Sequence, residues 1–240
     1  MSNVGSDNCV VVFVKEPRAG QVKTRLARHI GARLSTELYK CLVLDTFSTL
    51  EKLGEQLKVF YYPESAAGRM RKWLGEKYSY VAQVGGDLGQ RMKNAFVHSF
   101  DEGFEKVILV GSDLPDLPGE FLREALDALE SNDAAIGPSS DGGYYLIGFS
   151  KAGFLPEAFE GVPWSRDRVF EQTMRILDQQ GRTVFVLPQW HDVDTESDLD
   201  RLRANNQDTC FRQSKTLAFI TSNRRQIESG RRAKCPRQTQ

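Results

Sequence analysis

No run of apolar residues in this sequence approaches the roughly 20 that a membrane-crossing helix requires, so no membrane span is expected. Cysteine is sparse as well. The four present, Cys9, Cys41, Cys210 and Cys235, lie far apart with no C-x-x-C pair. That spacing argues against a structural zinc site or a disulfide framework and leaves reduced thiols as the reading. Three histidines, His29, His98 and His191, have no companion cysteine motif, which disfavours His/Cys nucleophilic chemistry. Neither G-x-x-x-x-G-K-S/T nor G-x-G-x-x-G occurs, which removes a Walker loop and a dinucleotide-dependent dehydrogenase. Residues 1–7 carry no basic stretch leading into an apolar segment and a small-residue cleavage site, so a cytoplasmic location is expected.

Net charge is absent too, because 32 Lys and Arg balance 32 Asp and Glu. The balance hides an asymmetry: residues 205–240 hold eight basic against two acidic residues, leaving 24 and 30 in the body. An acidic body does not suit a nucleic-acid platform, and the basic segment, with Arg224, Arg225, Arg231, Arg232, Lys234 and Arg237, reads as a solvated, flexible tail. With 40% hydrophobic and 27% charged residues, the chain can fill one sizeable core. One domain over residues 8–204 followed by a tail over 205–240 is therefore expected.

What is present is an alternation of short apolar runs with helical periodicity. Cys9-Val10-Val11-Val12-Phe13-Val14 suits a parallel strand buried on both faces. From Ser35, Leu38, Leu42, Val43, Phe47, Leu50 and Leu53 recur at helical spacing, with Gly54 placed as a helix stop. Further strands are expected at 58–62, 78–84, 107–110, 134–136, 144–149 and 183–187, and further helices from Asp87, over 120–130 and over 167–180. Asp87 and Gln90 have the spacing of a capping box. Such an order predicts a doubly wound α/β layer structure, mostly parallel at first and mixed in its second half, with ligands beyond the carboxyl ends of strands.

Four stretches carry candidate chemistry. The loop 15–26 gathers Lys15, Arg18, Lys23 and Arg25 around Gly20 at the end of the first strand and leads into a helix, a pattern that suits a phosphate chain as well as a solvated basic loop. Asp113, in Gly-Ser-Asp-Leu-Pro-Asp after the fourth strand, can ligate a hard divalent cation with Asp116 assisting, or cap the next helix. In the stretch 191–199, Asp192 and Asp194 can complete a magnesium or manganese shell, while Asp194 or Thr195 caps a helix. Asp141-Gly142-Gly143 fits close backbone approach to a sugar and fits a plain hairpin turn equally.

Taken in order, Lys15-Glu16-Pro17 through Val22-Lys23-Thr24-Arg25-Leu26, Gln83 through Asp87-Leu88-Gly89-Gln90-Arg91-Met92, Gly111 to Pro115, Asp141 to Gly148, Trp164-Ser165 and Asp192-Val193-Asp194-Thr195 resemble a bacterial family of GT-A-fold transferases, the radical-SAM/selenodomain-associated transferases. The resemblance spans about residues 9–204, and six ordered blocks make it specific. More distantly the chain is similar to phospholactate and molybdenum-cofactor guanylyltransferases. The resemblance implies a three-layer, Rossmann-like GT-A fold and a nucleotide held by Lys15, Gly20, Lys23, Arg25, Gln83 and Arg91. It also implies Mg²⁺ or Mn²⁺ on Asp113 and Asp194, Lys23, Arg25 and Asp113 as catalytic residues, and a sugar or acceptor pocket at Asp141, Gly142, Gly143 and Trp164. The expected activity is sugar transfer from a nucleotide diphospho-sugar to an acceptor. Nucleotidyl transfer from a nucleoside triphosphate and a non-catalytic nucleotide sensor stand as alternatives. Glu196 replaces the proline usual in the related last block, which leaves the ligand position filled. The sequence names neither base, sugar, acceptor nor oligomeric state.

Overall fold

The computed structural model describes residues 7–164 and 167–232, with the backbone alone over 229–232; Ser165, Lys234, Cys235 and Arg237 lie outside the described residues. Along the chain run β1 (Asn8–Lys15), α1 (Thr24–Ile30), α2 (Ala32–Glu51), β2 (Gln56–Tyr62), α3 (Ala67–Leu74), β3 (Ser79–Ala82), α4 (Leu88–Asp101) and β4 (Lys106–Gly111). Then follow α5 (Gly119–Ala128), β5 (Ala134–Pro138), β6 (Tyr144–Ser150), α6 (Val169–Gln179), β7 (Val184–Val186), α7 (Glu196–Asn205), α8 (Lys215–Ser222) and α9 (Arg224–Arg232). The chain divides into two compact units. The first comprises Met1–Glu16, Ser48–Ser112 and Leu117–Asp192, and the second Pro17–Phe47, Asp113–Asp116 and Val193–Gln240.

The first unit holds a seven-stranded sheet in the order β3-β2-β1-β4-β6-β5-β7. Strands β1 to β4 pair in parallel, whereas β6 is antiparallel to both its neighbours, and β7 is parallel to β5. This is the mostly parallel, partly mixed sheet that the alternation of elements predicts. β1 sits between two partners, with Val11 opposite both Lys58 and Leu109, and it is buried on both faces, which is why Val10 to Val12 read as a continuous apolar run. One face is covered by an aromatic cluster in which Phe96 of α4 meets Phe149 edge-on at 5.2 Å and Phe159 at 5.7 Å. Asp87 caps α4 through Gln90 N–H, as expected, but the Gln90 side chain accepts from Gly86 N rather than closing the box on Asp87.

The second unit is helical, and its apolar residues form a cluster of their own: Leu26 and Ile30 of α1, Leu38 and Leu42 of α2, Val193, Leu199 and Leu202 near and in α7, Ile220 and Ile227. Beyond residue 205 the described chain folds into α8 and α9 and buries Thr216, Ile220 and Ile227. The physical reason is an internal anchor. Asp45 of α2 is buried, and its two carboxylate oxygens accept from the N–H groups of Lys215 at 3.1 Å and Thr216 at 2.7 Å, while Ser214 caps Leu217 N. A carboxylate at the first turn of α8 satisfies orphan donors and complements the helix dipole. No helix among the described residues is long and apolar enough to cross a membrane.

Replacing Asp45 with Ala leaves those N–H groups without their acceptor, and we expect a loss of about 1–3 kcal/mol of stability. Urea unfolding of the full chain measures it, and an unchanged midpoint would remove Asp45 as the anchor of α8.

Candidate active site

Strands β1 and β4 lie side by side with Phe13 opposite Gly111, and in sequence the second unit takes up the chain at Pro17 and again at Asp113. The loop after β1 closes a turn in which Gln21 N–H donates to Arg18 O at 3.0 Å. Gly20 occupies its third position at φ 80°, which explains that glycine locally. Three residues later Lys23 adopts φ 49° and ψ 46° and becomes the first residue of the α1 turn, its carbonyl accepting from Ala27 N–H at 2.8 Å. Among the described residues no other non-glycine residue has positive φ. For a lysine that conformation costs about 1–2 kcal/mol.

The conformation turns the Lys23 side chain inward, where it is only 2% exposed. Its Nζ donates to Asp113 Oδ2 at 2.7 Å and to Asp194 Oδ1 at 2.8 Å. Burial alone would pull the ammonium down, but the charges and acceptor oxygens of Asp113 and Asp194 outweigh it and hold Lys23 well above the usual lysine range. Lys23 is therefore a cation throughout the neutral range. Arg25 differs in kind: it is 67% exposed, and its Nη1 stands 3.9 Å from Asp194 Oδ2, a contact that solvent largely screens.

Backbone bonds fix the two acids. Val193 N–H donates to Asp113 O at 3.3 Å, and Val193 is buried in the apolar cluster of the second unit. Leu114 N–H donates to the Thr46 hydroxyl at 3.3 Å. Thr195, not Asp194, is the α7 cap, forming a reciprocal box with Asp198, whose Oδ2 accepts from both Thr195 N–H and Asp194 N–H. The Thr-x-x-Asp spacing at 195–198 is the sequence signal for this support. Asp116 accepts from Asn206 Nδ2 at 2.8 Å.

The other sequence candidates are in the first unit. Lys15 is the exposed last residue of β1. Gln83 is buried and donates from Nε2 to Phe60 O at 2.7 Å. Arg91 donates to Gly85 O at 3.1 Å and stacks its guanidinium on Tyr62 at 4.2 Å. Asp141 Oδ1 accepts from the Ser139 hydroxyl and from Gly143 N–H, and a Cβ on Gly142, which has φ 88°, would collide with the backbone of Asp167. Trp164 packs on Gly89 and stacks near Phe159 at 6.4 Å. Cys9 and Cys41 offer no nucleophile, since burial pushes Cys9 up to about 12 and Cys41 up to about 11.

Among the described residues no group of three or more His, Cys, Asp or Glu is arranged to hold a metal ion. The Asp113 and Asp194 oxygens nonetheless converge on a single point, now taken by the Lys23 ammonium, and two carboxylates of hard oxygen suit Mg²⁺ or Mn²⁺, which commonly complete their shells with water and ligand phosphate. The donor set fits a divalent ion.

A family model described as uncharacterized protein conserved in bacteria, DUF2064, matches residues 45–166. The chain is similar to the crystal structure of a proposed nucleotide-diphospho-sugar transferase from Desulfovibrio desulfuricans, with 40% identity and a TM-score of 0.90, covering 94% of this chain and 98% of that one. It shares a fold with a Mycobacterium tuberculosis protein solved in complex with manganese, at 18% identity and TM-score 0.51 over 82% of this chain and 98% of that one. A Methanothermobacter nucleotidyl transferase shares the fold at 15% identity and TM-score 0.54, covering 82% of this chain and 96% of that one. No curated protein matches the chain.

Asp198 is the support that a variant can remove while the Lys23, Asp113 and Asp194 side chains stay in place. Burial raises its carboxyl, but the donors from Thr195 and the Asp194 backbone, with Arg201, hold it below the usual aspartate value. Its contribution is thus present above the unfolded-state value and fades as pH falls through the lower folded one. Asp198→Ala should cost about 1–2 kcal/mol near neutrality and flatten the acid limb of stability against pH, as read by urea midpoints from pH 7 to pH 3. An acid limb identical to that of the natural chain would contradict this role.

Proposed function

The chain belongs to the DUF2064 family, and from that footing we propose that it is a metal-dependent transferase that binds a nucleotide diphospho-sugar and moves the sugar to an acceptor. The observation that carries the reading is the convergence of Lys23, Asp113 and Asp194 on one point, where a basic turn and two acids widely separated in sequence meet within hydrogen-bonding distance. A stability role alone does not call for two carboxylates around one buried lysine. A diphosphate and its counter-ion do.

In the proposed reaction the acceptor nucleophile attacks the anomeric carbon of the sugar, and the bond from that carbon to the β-phosphate oxygen breaks. The electron pair leaves with the diphosphate, and the acceptor's proton passes to solvent. Negative charge therefore grows on the departing diphosphate. Lys23 and Arg25 supply the positive donors that stabilise it, Arg25 with a fork matched to phosphate oxygens and already turned to solvent. Asp113 and Asp194 would hold Mg²⁺ or Mn²⁺, which when bound supplies Lewis-acid neutralisation of the diphosphate. The backbone bond from Val193 to Asp113 and the Thr195–Asp198 box keep the acids in register, so little reorganisation is left to the reaction.

A thermal-shift panel of nucleoside triphosphates and nucleotide sugars, with and without Mn²⁺, identifies the ligand, since binding to the native state raises the melting temperature. With that ligand, Asp113→Asn and Asp194→Asn should each lower turnover by about 10²–10³-fold. A nucleoside diphosphate as released product agrees with sugar transfer. Pyrophosphate released from a triphosphate would replace that reading by nucleotidyl transfer on the same residues. Ligand binding without any turnover by the natural chain would make it a sensor.

A further inference from the structure

We propose that the Lys23 ammonium is the resident counter-ion of the Asp113–Asp194 pair, so that a divalent cation binds only by displacing it, and the site takes the cation together with an anionic diphosphate that receives the freed ammonium. The inference rests on the metal-dependent reading above, and it adds an order to the binding events.

Geometry forces the competition. Lys23 Nζ lies 2.7 Å from Asp113 Oδ2 and 2.8 Å from Asp194 Oδ1, midway between the oxygens a metal would use. A divalent ion demands oxygens at about 2.0–2.6 Å, so ion and ammonium cannot occupy that point together. The backbone of Lys23 cannot yield, because its carbonyl opens α1 and its neighbours Val22 and Leu26 are buried. Only the side chain can swing away. Doing so breaks two charge-assisted hydrogen bonds, and a bare cation brings nothing to replace them. A diphosphate does, since its oxygens can accept from the displaced ammonium beside the guanidinium of Arg25, which is exposed and already near Asp194. Metal alone is thus held off, and metal with diphosphate is admitted.

The test uses the full chain and Mn²⁺ alone, followed by the paramagnetic resonance of the free ion. Lys23→Met removes the resident cation and keeps the stem, and its dissociation constant for Mn²⁺ should fall by about tenfold or more relative to the natural chain, a difference of about 1.4 kcal/mol or larger. Adding Asp113→Asn to Lys23→Met should abolish the gain. Equal or weaker Mn²⁺ binding by Lys23→Met overturns the proposal. If that equal binding is still lost on Asp113→Asn, the metal site stands and only the resident cation falls; if Asp113→Asn changes Mn²⁺ binding in neither background, the site reading falls with it. Should Lys23→Met fail to fold, lysine-selective ¹⁵N spectra of the natural chain decide the matter. The Lys23 Nζ resonance should be protected from solvent exchange without metal and lose that protection when Mg²⁺ and inorganic pyrophosphate together saturate the protein. A protected signal that persists with both at saturation overturns the proposal.

Discussion

A single ammonium between two carboxylates organises the second unit. With Lys23 in place the cluster carries two negative charges against one positive, and its side chain is almost wholly out of solvent. Three pieces of chain distant in sequence meet there: the turn before α1, the short segment 113–116 and the approach to α7. Each is delivered by a separate local device. The left-handed residue at the start of α1 aims the lysine inward, the Val193 amide ties its strand of chain to the Asp113 carbonyl, and the Thr195–Asp198 box stiffens the backbone that carries Asp194.

These devices work because an apolar cluster lies under them. Leu26 and Ile30 on one side of α1, Leu38 and Leu42 on α2, and Val193, Leu199 and Leu202 are all nearly or fully buried, so the polar constellation is held by packing rather than by its own charges. Helices α8 and α9 extend that cluster through Ile220 and Ile227. Asp45 joins them to α2 with hydrogen bonds to two backbone amides, an acidic side chain spent on structure within a few turns of acids that we assign to chemistry. Burial separates these roles: Asp45 is 8% exposed and faces amides of its own chain, whereas the Asp113 and Asp194 side chains retain 32% and 36% exposure.

Much of this was legible in the residues. The β-branched run at 9–14 announces a strand flanked on both sides, and the helical spacing from Leu38 to Leu50 announces α2. Lys23, Arg25, Asp113 and Asp194 were identifiable as charged residues following apolar strands, the place where parallel sheets present ligand-binding loops. What was hidden obeys longer-range physics. A left-handed lysine leaves no mark in sequence, since that conformation is expected of glycine or asparagine. The basic composition after residue 205 masks Leu217, Ile220 and Ile227, whose burial depends on an acceptor 170 residues earlier in the chain. Asp141-Gly142-Gly143 was ambiguous between a turn and a ligand cradle. The positive φ of Gly142 and the nearness of Asp167 supply a packing reason for glycine at that position.

Stability does not account for the Lys23 cluster. Burying an ammonium costs several kcal/mol before its partners offset it, and replacing a buried ionic group by well-packed apolar residues is often neutral or stabilising. To this the left-handed backbone of Lys23 adds about 1–2 kcal/mol of strain. A cluster that is both strained and ionic persists where its charges serve something besides folding. The residual exposure of the two acids gives the direction: the carboxylates are open enough to accept an ion from solvent, and the lysine that fills the gap between them is tethered, so it can leave and return without being lost. An internal cation of this kind keeps the acids together before a ligand arrives, at the cost of competing with the metal that would come with it.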